Sequence, residues 1–458
     1  MARSHEDKEI SRRNLMYTAA LMAAGGAGAT AGCLGTGDDE GSGGNGNGNG
    51  NGNGNGSTET SMADEIEVWG WDVAARALDL TAEEYMAEND ATINVNEFGR
   101  GAMKDDLNSN LAAGTGAPPV AMLESIDAPA RVDSPGGIRD LSDHIEEAGF
   151  RGDFVEGKWE ALDVDGGTYA VPWDIGPTGV FYRRSVYEEH GIDPDSIETY
   201  EDFMEEGQKL PDDVAMFNIP PNDINGQWRF MCRQQGMNPI TDDGAINIAS
   251  EESLRAARTL NDLHDAGIAE RLDGWSASWF TAYNEADIAS LPSAAWMEGT
   301  IRAELGETGG DWGVYKIPAF ESGGNRASNW GGSNLMIPTQ VSDEEAQRAF
   351  DFIEWSLATE DMQLLMFEEF GLFPALESTY EDSTFDEELD FFGGQDIRNL
   401  FAEVATNVPG WRFSSATPNI SDAIEAEFER MLQGTQSPEE AVNNAADTVA
   451  SETGRDIA

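Results

Sequence analysis

The segment Glu65-Ile66-Glu67-Val68-Trp69 alternates polar and apolar residues, Ala74 to Glu88 has helical character, and Ile93-Asn94-Val95-Asn96-Glu97-Phe98 alternates again. A period of two marks a strand with one buried face, so strand, helix and strand at this spacing predict a βαβ unit and a parallel sheet. Pro119-Val120-Ala121-Met122-Leu123 predicts a short buried strand, and Val180-Phe181-Tyr182 another. The class is therefore α/β. In the C-terminal half, Ser342 stands three residues before Glu345 as a capping box, and Ala346, Phe350, Ile353 and Leu357 fall on one helical face. Ser437-Pro438-Glu439-Glu440 repeats the device with proline at the first helical position, followed by Val442, Ala445 and Val449. Charged runs such as Glu368-Glu369 and Asp386-Glu387-Glu388 read as solvated faces.

At 458 residues the chain exceeds what one compact core holds, and 40% hydrophobic and 9% aromatic residues suffice for real cores, so two or more lobes are expected. Asp and Glu number 86 against 27 Lys and Arg, a net charge of −59, which excludes nucleic acid as a partner. The acids are spread along the chain, and after Lys8 the lysines are Lys104, Lys158, Lys209 and Lys316. This pattern resembles proteins of extreme halophiles, in which a carboxylate shell holds water in molar salt, where the Debye length is about 3 Å and self-repulsion is screened.

The N-terminus reads as an address. Ser11-Arg12-Arg13-Asn14-Leu15-Met16 is a twin-arginine pattern, and Leu15 to Gly32 is a weakly apolar stretch, as in a Tat export signal. Thr30-Ala31-Gly32-Cys33 matches a lipobox, whose Cys33 becomes the lipidated first residue after cleavage. Residues 1–33 form this signal and 34–63 a Gly/Asn-rich tether, with Asn-Gly repeated from Asn45 to Gly56. Such a coil spans about 30 Å, enough for an anchored domain to reach a membrane partner. With Cys33 lipidated, Cys232 is left as a buried free thiol. No other segment has the length and apolarity of a membrane span, so lipid attachment at the outer face of the cell membrane is the expected location.

A further set of segments recurs in order: Trp69-Gly70-Trp71-Asp72 closing the first strand, Leu111-Ala112-Ala113-Gly114-Thr115-Gly116-Ala117-Pro118-Pro119-Val120, and Thr168-Tyr169-Ala170-Val171-Pro172-Trp173 with Gly179-Val180-Phe181-Tyr182-Arg183. Ala294-Ala295-Trp296, Trp312-Gly313-Val314, Asn329-Trp330-Gly331-Gly332-Ser333 and the helix from Ser342 to Glu369 follow. By their order and spacing over residues 65–455, the chain resembles the family 1 extracellular solute-binding proteins, the maltose-type group. It departs from them at Pro118-Pro119, where Pro-Asp is common. The resemblance implies a two-lobed periplasmic-binding-protein-like fold of type II, with discontinuous lobes joined by a hinge. Residues 64–172 plus 319–378 would form the N-terminal lobe and 173–318 plus 379–458 the C-terminal lobe. The crossings are expected near Val171 to Gly179 and Tyr315 to Phe320. It further implies a monomeric binding protein that hands its ligand to the permease subunits of an ABC importer.

Carbohydrate recognition needs aromatic planes for the C–H faces of the rings and carboxylates, amides or guanidinium groups for the hydroxyls. Twelve tryptophans are available, several beside acids or glycine. Trp71, Asp72, Glu124, Ser125 and Asp127 are expected from one lobe. Asn222, Trp228, Trp296 and Glu298 are expected from the other, with Trp173 and Asp174 at the hinge. Trp330 and Gly331 complete the cleft that the resemblance implies, and Trp411 and Arg412 are further candidates; Trp312 and Trp355 are assigned to core packing. No metal site or cofactor is expected. The histidines His5, His144, His190 and His264 are scattered, and neither a Gly-x-Ser-x-Gly turn nor His-Glu-x-x-His occurs, which argues against serine-hydrolase and zinc chemistry. Two alternatives remain: a carboxylate-dependent secreted glycosidase, and a binding protein for another solute such as a polyamine.

Overall fold

A computed structural model of the chain describes residues 61–132 and 136–458. The export signal, Cys33 and nearly all of the expected tether lie outside the described residues.

The first lobe is built on the expected βαβ unit. Strand β1 (Glu65–Trp71) runs without a loop into helix α1 (Asp72–Glu88), and β2 (Thr92–Phe98) returns parallel to β1. Helix α2 (Arg100–Ala113) then leads to β3 (Val120–Glu124), which lies on the other side of β1, also parallel. The strand Ser333–Met336 adds antiparallel to β3, and the short strand Val171–Pro172 adds beyond it, giving five strands. Helix α1 packs on this sheet through Ala74, Ala77, Leu78 and Tyr85, together with the capped helix Asp343–Leu357. That helix buries Ala346, Phe350, Ile353 and Leu357, the face its spacing predicts.

The second lobe carries a three-stranded antiparallel sheet in the order Ser290–Ala294, Thr178–Arg183, Trp312–Lys316. All six residues of its central strand are buried. The strand alternates between two cores: Val180 and Tyr182 join the core containing Trp228 and Trp411, while Phe181 faces Phe392 and Phe401. Burial on both faces explains why Val180-Phe181-Tyr182 reads as a continuous apolar run. Helices Thr417–Leu432 and Pro438–Thr453 pack together against this lobe.

The chain joins the two sheets twice, and a third segment, after the first-lobe helix Glu360–Phe370, carries it back to the second lobe alongside the hinge, where Ile175 N–H donates to Phe373 O at 2.9 Å and Ala375 N–H to Trp173 O at 3.1 Å. The first passage runs through residues 173–177, as expected. The second lies at 328–332: Ala319 still pairs with Thr199 of the second lobe and Phe320 rests on Tyr200. The expected crossing at Tyr315 to Phe320 is therefore about one strand too early, because Ile317 to Ala327 return to the second-lobe core before leaving it. The passages are hydrogen-bonded to each other, Thr178 N–H to Ser328 O at 3.0 Å, Trp330 N–H to Gly176 O at 2.8 Å, and Gly176 N–H to Asn329 Oδ1 at 2.8 Å. Among the described residues no helix is long and apolar enough to cross a membrane, no group of His, Cys, Asp and Glu could hold a metal ion, and Cys232 is a buried free thiol.

Candidate functional site

A cleft of about 810 Å³ opens where the strand ends of the two sheets meet the two passages. From the first lobe come Trp71 and Asp72 at the end of β1, and Glu124 and Ser125 at the end of β3. This is the carboxyl end of the sheet's three parallel strands, where loops diverge and leave room for a ligand. Asp72 turns the strand directly into α1 with a left-handed φ of 48°. Glu124 receives Arg100 Nη2 at 2.6 Å and Lys104 Nζ at 2.9 Å. Burial pushes its pKa up, but the hydrogen bonds from Arg100 and the charge of Lys104 prevail and hold it below the usual carboxylate range.

At the hinge, Asp174 is buried and its Oδ1 accepts the Ser333 N–H at 2.6 Å. Burial raises its pKa, opposed by the charge of Lys158. Lys158 is itself buried, and among the described residues its Nζ has no hydrogen-bond partner. Desolvation lowers it to about 8, with Asp174 opposing. Gly332, at φ 107°, makes this packing possible: a Cβ there would stand 2.6 Å from Asp174 O and 2.7 Å from Lys158 Nζ.

The second lobe supplies an aromatic wall. Trp296 donates Nε1–H to Trp330 O at 2.8 Å. Its ring stacks on Trp275 with centroids 5.9 Å apart and planes at 21°, and Trp275 stacks in turn on Trp279 at 5.7 Å and 27°. Trp330 lies on Phe230 at 5.5 Å. Asp223 caps the helix Ile224–Gln234 by accepting Gly226 N–H at 3.1 Å, and burial pushes its pKa up to about 6 against the opposing charge of Arg229. The charged groups lining the cleft balance, with Asp72, Glu124, Asp174 and Asp223 against Arg100, Lys158, Arg229 and Arg233. In a chain of net charge −59, this is the composition of a site built for a polar, uncharged ligand face with aromatic walls.

The cleft thus assembles Trp71, Asp72, Glu124, Ser125, Asp174, Trp296, Trp330 and Gly331 from the sequence-based set. The family model for bacterial extracellular solute-binding proteins matches residues 81–392. The chain belongs to this family. A lactose-binding protein of Rhizobium radiobacter is 28% identical over 388 residues, covering 82% of this chain and 90% of the relative. An arabinooligosaccharide-binding protein of Halalkalibacterium halodurans is 24% identical over 398 residues, covering 84% and 85%. Among solved structures, an ABC-transporter-associated binding protein from B. animalis subsp. lactis in complex with beta-1,6-galactobiose superimposes with a TM-score of 0.68 at 26% identity, covering 86% of this chain and 99% of that one.

Seven of the residues expected in the site of this solute-binding protein stand elsewhere. Trp173 is buried in the first-lobe core. Trp228 and Trp411 meet edge-on in the second-lobe core at 6.2 Å, with Trp228 Nε1–H donated to Ser253 Oγ at 2.9 Å. Helical spacing explains the error: Ile224, Trp228 and Met231 share the core face of their helix, whereas Arg229 and Arg233, one turn apart, line the cleft. Arg412 is engaged by Asp242 and by Glu160, the latter at 3.3 Å. Glu298 pairs with Arg302 at 3.1 Å one helical turn on. Asp127 is tied to Lys104 at 2.7 Å. Asn222 grips the backbone of Gly274 instead of lining the cleft. Missed by the sequence reading were Asp223, Arg229, Trp275 and Trp279. The turn sequence Asp273-Gly274-Trp275-Ser276 was the available signal, since an indole inside a turn has no helical or strand face to bury it.

Proposed function

We propose that this chain is the extracytoplasmic substrate-binding component of an ABC importer, which takes a sugar or oligosaccharide between its lobes and presents it to the permease. The observation that carries this reading is the tryptophan-walled cleft at the hinge, with carboxylates and guanidinium groups set around the rings. Trp296 and Trp330 offer flat apolar surface for C–H faces, while Glu124, kept ionised by Arg100 and Lys104, accepts hydroxyl hydrogens. Relatives named for lactose, arabinooligosaccharides and beta-1,6-galactobiose support a carbohydrate ligand. A polyamine is disfavoured by the balanced charge of the cleft, which offers a polycation no net attraction. In this reading the ligand-contacting set is Trp71, Asp72, Glu124, Ser125, Asp174, Asp223, Arg229, Trp296 and Trp330, the chain works as a monomer, and closure about the hinge is what the permease reads. Cys33, lipidated after Tat export, would hold the protein at the outer face of the membrane, so Cys33→Ser should release it into the medium.

Thermal-shift screening in molar KCl against mono- and oligosaccharides, polyamines, peptides and ferric citrate tests the assignment. Stabilisation by one or more carbohydrates is expected, by mass action on the folded state. Stabilisation by spermidine or peptides with none by carbohydrates would overturn it, and so would hydrolysis of the bound oligosaccharide.

A further inference from the structure

Four large hydrophobic side chains among the described residues stand exposed, Met62, Val73, Trp275 and Ile457. Two of them, Val73 and Trp275, line the cleft from opposite lobes. Trp275 is the most exposed, at 55%, although stable proteins bury indole wherever they can. It also has a left-handed φ of 67°, a conformation in which a bulky side chain is strained.

The surrounding loop is built to hold that conformation. Asn218 accepts Leu272 N–H at 2.8 Å and donates to Leu272 O at 2.9 Å. Asn222 does the same to Gly274, accepting its N–H at 2.8 Å and donating to its carbonyl at 3.2 Å. Ser276 then caps the next helix, accepting Trp279 N–H at 3.2 Å. Two side-chain amides and a cap thus fix the backbone on both sides of Trp275. Its ring is stacked against Trp296 and Trp279, yet the residue stays exposed. A strained, exposed and immobilised indole at the mouth of a cleft is costly to the free protein unless something uses its open face.

We propose that Trp275 is an outer ring-binding platform, positioned by Asn222, and that the ligand is therefore an oligosaccharide reaching from the hinge floor at Trp330 to the rim, not a single sugar. This rests on the carbohydrate reading above and adds chain length to it. Trp296 serves the inner ring, and Trp275 takes the next ring outward. Val73 lies on the opposite lip, where lobe closure would bring it down on the same ring.

The test is calorimetry in molar KCl on the full chain with two ladders, arabinose through arabinotetraose, and galactose, lactose and beta-1,6-galactobiose. Wild type, Trp275→Ala, Trp275→Gly, Asn222→Ala and Trp296→Ala are compared. Wild-type affinity should rise with ring number. Trp275→Ala and Trp275→Gly should each weaken the longest ligand that binds by roughly tenfold or more, and leave the shortest within about twofold. Trp275→Gly, which suits a left-handed φ, should melt no lower than wild type. Asn222→Ala should give a smaller loss confined to the longer ligands. Equal loss on short and long ligands, or no loss on either, overturns the outer platform. Failure of every carbohydrate to bind, or binding indifferent to Trp296→Ala, overturns the carbohydrate reading itself.

Discussion

Asp223 shows how the cleft is held at a cost to the resting protein. Its carboxylate is desolvated beside Arg229 and its pKa is pushed up to about 6. The unfolded chain releases this proton near pH 4, so between about pH 4 and pH 6 the folded state binds more protons than the unfolded one. Stability from this group is therefore present below pH 4 and lost as the pH rises through 6. Asp223→Asn should remove that loss: the variant should gain stability relative to wild type across this interval, reaching at most about 3 kcal/mol above pH 6, less whatever solvent screens. Paired chemical denaturation of wild type and variant at pH 4 and pH 7 checks it, and a stability difference independent of pH would contradict the assigned shift. At this scale the sequence was a partial guide. Trp71, Asp72, Glu124 and Ser125 reach the cleft because they follow strands the sequence marked, one by its period of two and one by its apolar run, at positions where the resemblance implies contacts, whereas Trp228 and Trp411 were misread because a tryptophan beside a polar residue has the same local sequence whether its ring faces a core or a cleft.

Among the elements, the hinge passage at 328–332 depends most on its glycines. Gly332 has a φ of 107°, and a Cβ there would meet Asp174 O and Lys158 Nζ at 2.6 and 2.7 Å. Gly332→Ala should destabilise the protein by about 1–3 kcal/mol from backbone strain alone, and should weaken ligand binding because Asp174 and Ser333 would be displaced. Urea unfolding and a binding titration on the same variant measure both; unchanged values would show that the passage is not held by this contact. The starts of the capped helices Asp343–Leu357 and Pro438–Thr453 were legible to the residue, since capping boxes are local: Ser342 Oγ accepts Glu345 N–H at 3.2 Å and Ser437 Oγ accepts Glu440 N–H at 3.2 Å. The single helix expected from Ser342 to Glu369 is instead two, broken after Leu357 and resumed at Glu360. The second hinge passage was misplaced because its position is set by pairing with Gly176 and Thr178, about 150 residues earlier, which no local pattern encodes.

For the whole molecule, the net charge of −59 and the balanced cleft belong to one design in which repulsion is spread over the surface and kept out of the site. At about 0.1 M salt the Debye length is about 10 Å and neighbouring carboxylates repel, while in molar salt it shrinks to about 3 Å. The melting temperature should therefore fall steadily from about 3 M to about 0.1 M KCl, and a melting temperature insensitive to KCl would remove the halophilic reading. The two-lobed α/β architecture was legible from periodicity and from the order of segments along the chain. The charge balance of the cleft was not, because it depends on which few of the 86 acids and 27 bases converge in space. The most direct measurement is a crystal structure grown with the tightest-binding oligosaccharide of the calorimetric ladders. Sugar rings are expected between the closed lobes, one against Trp296 and Trp330 and the next over Trp275; sugar bound on any other surface, or lobes that stay apart around an empty cleft, would contradict the oligosaccharide-binding role.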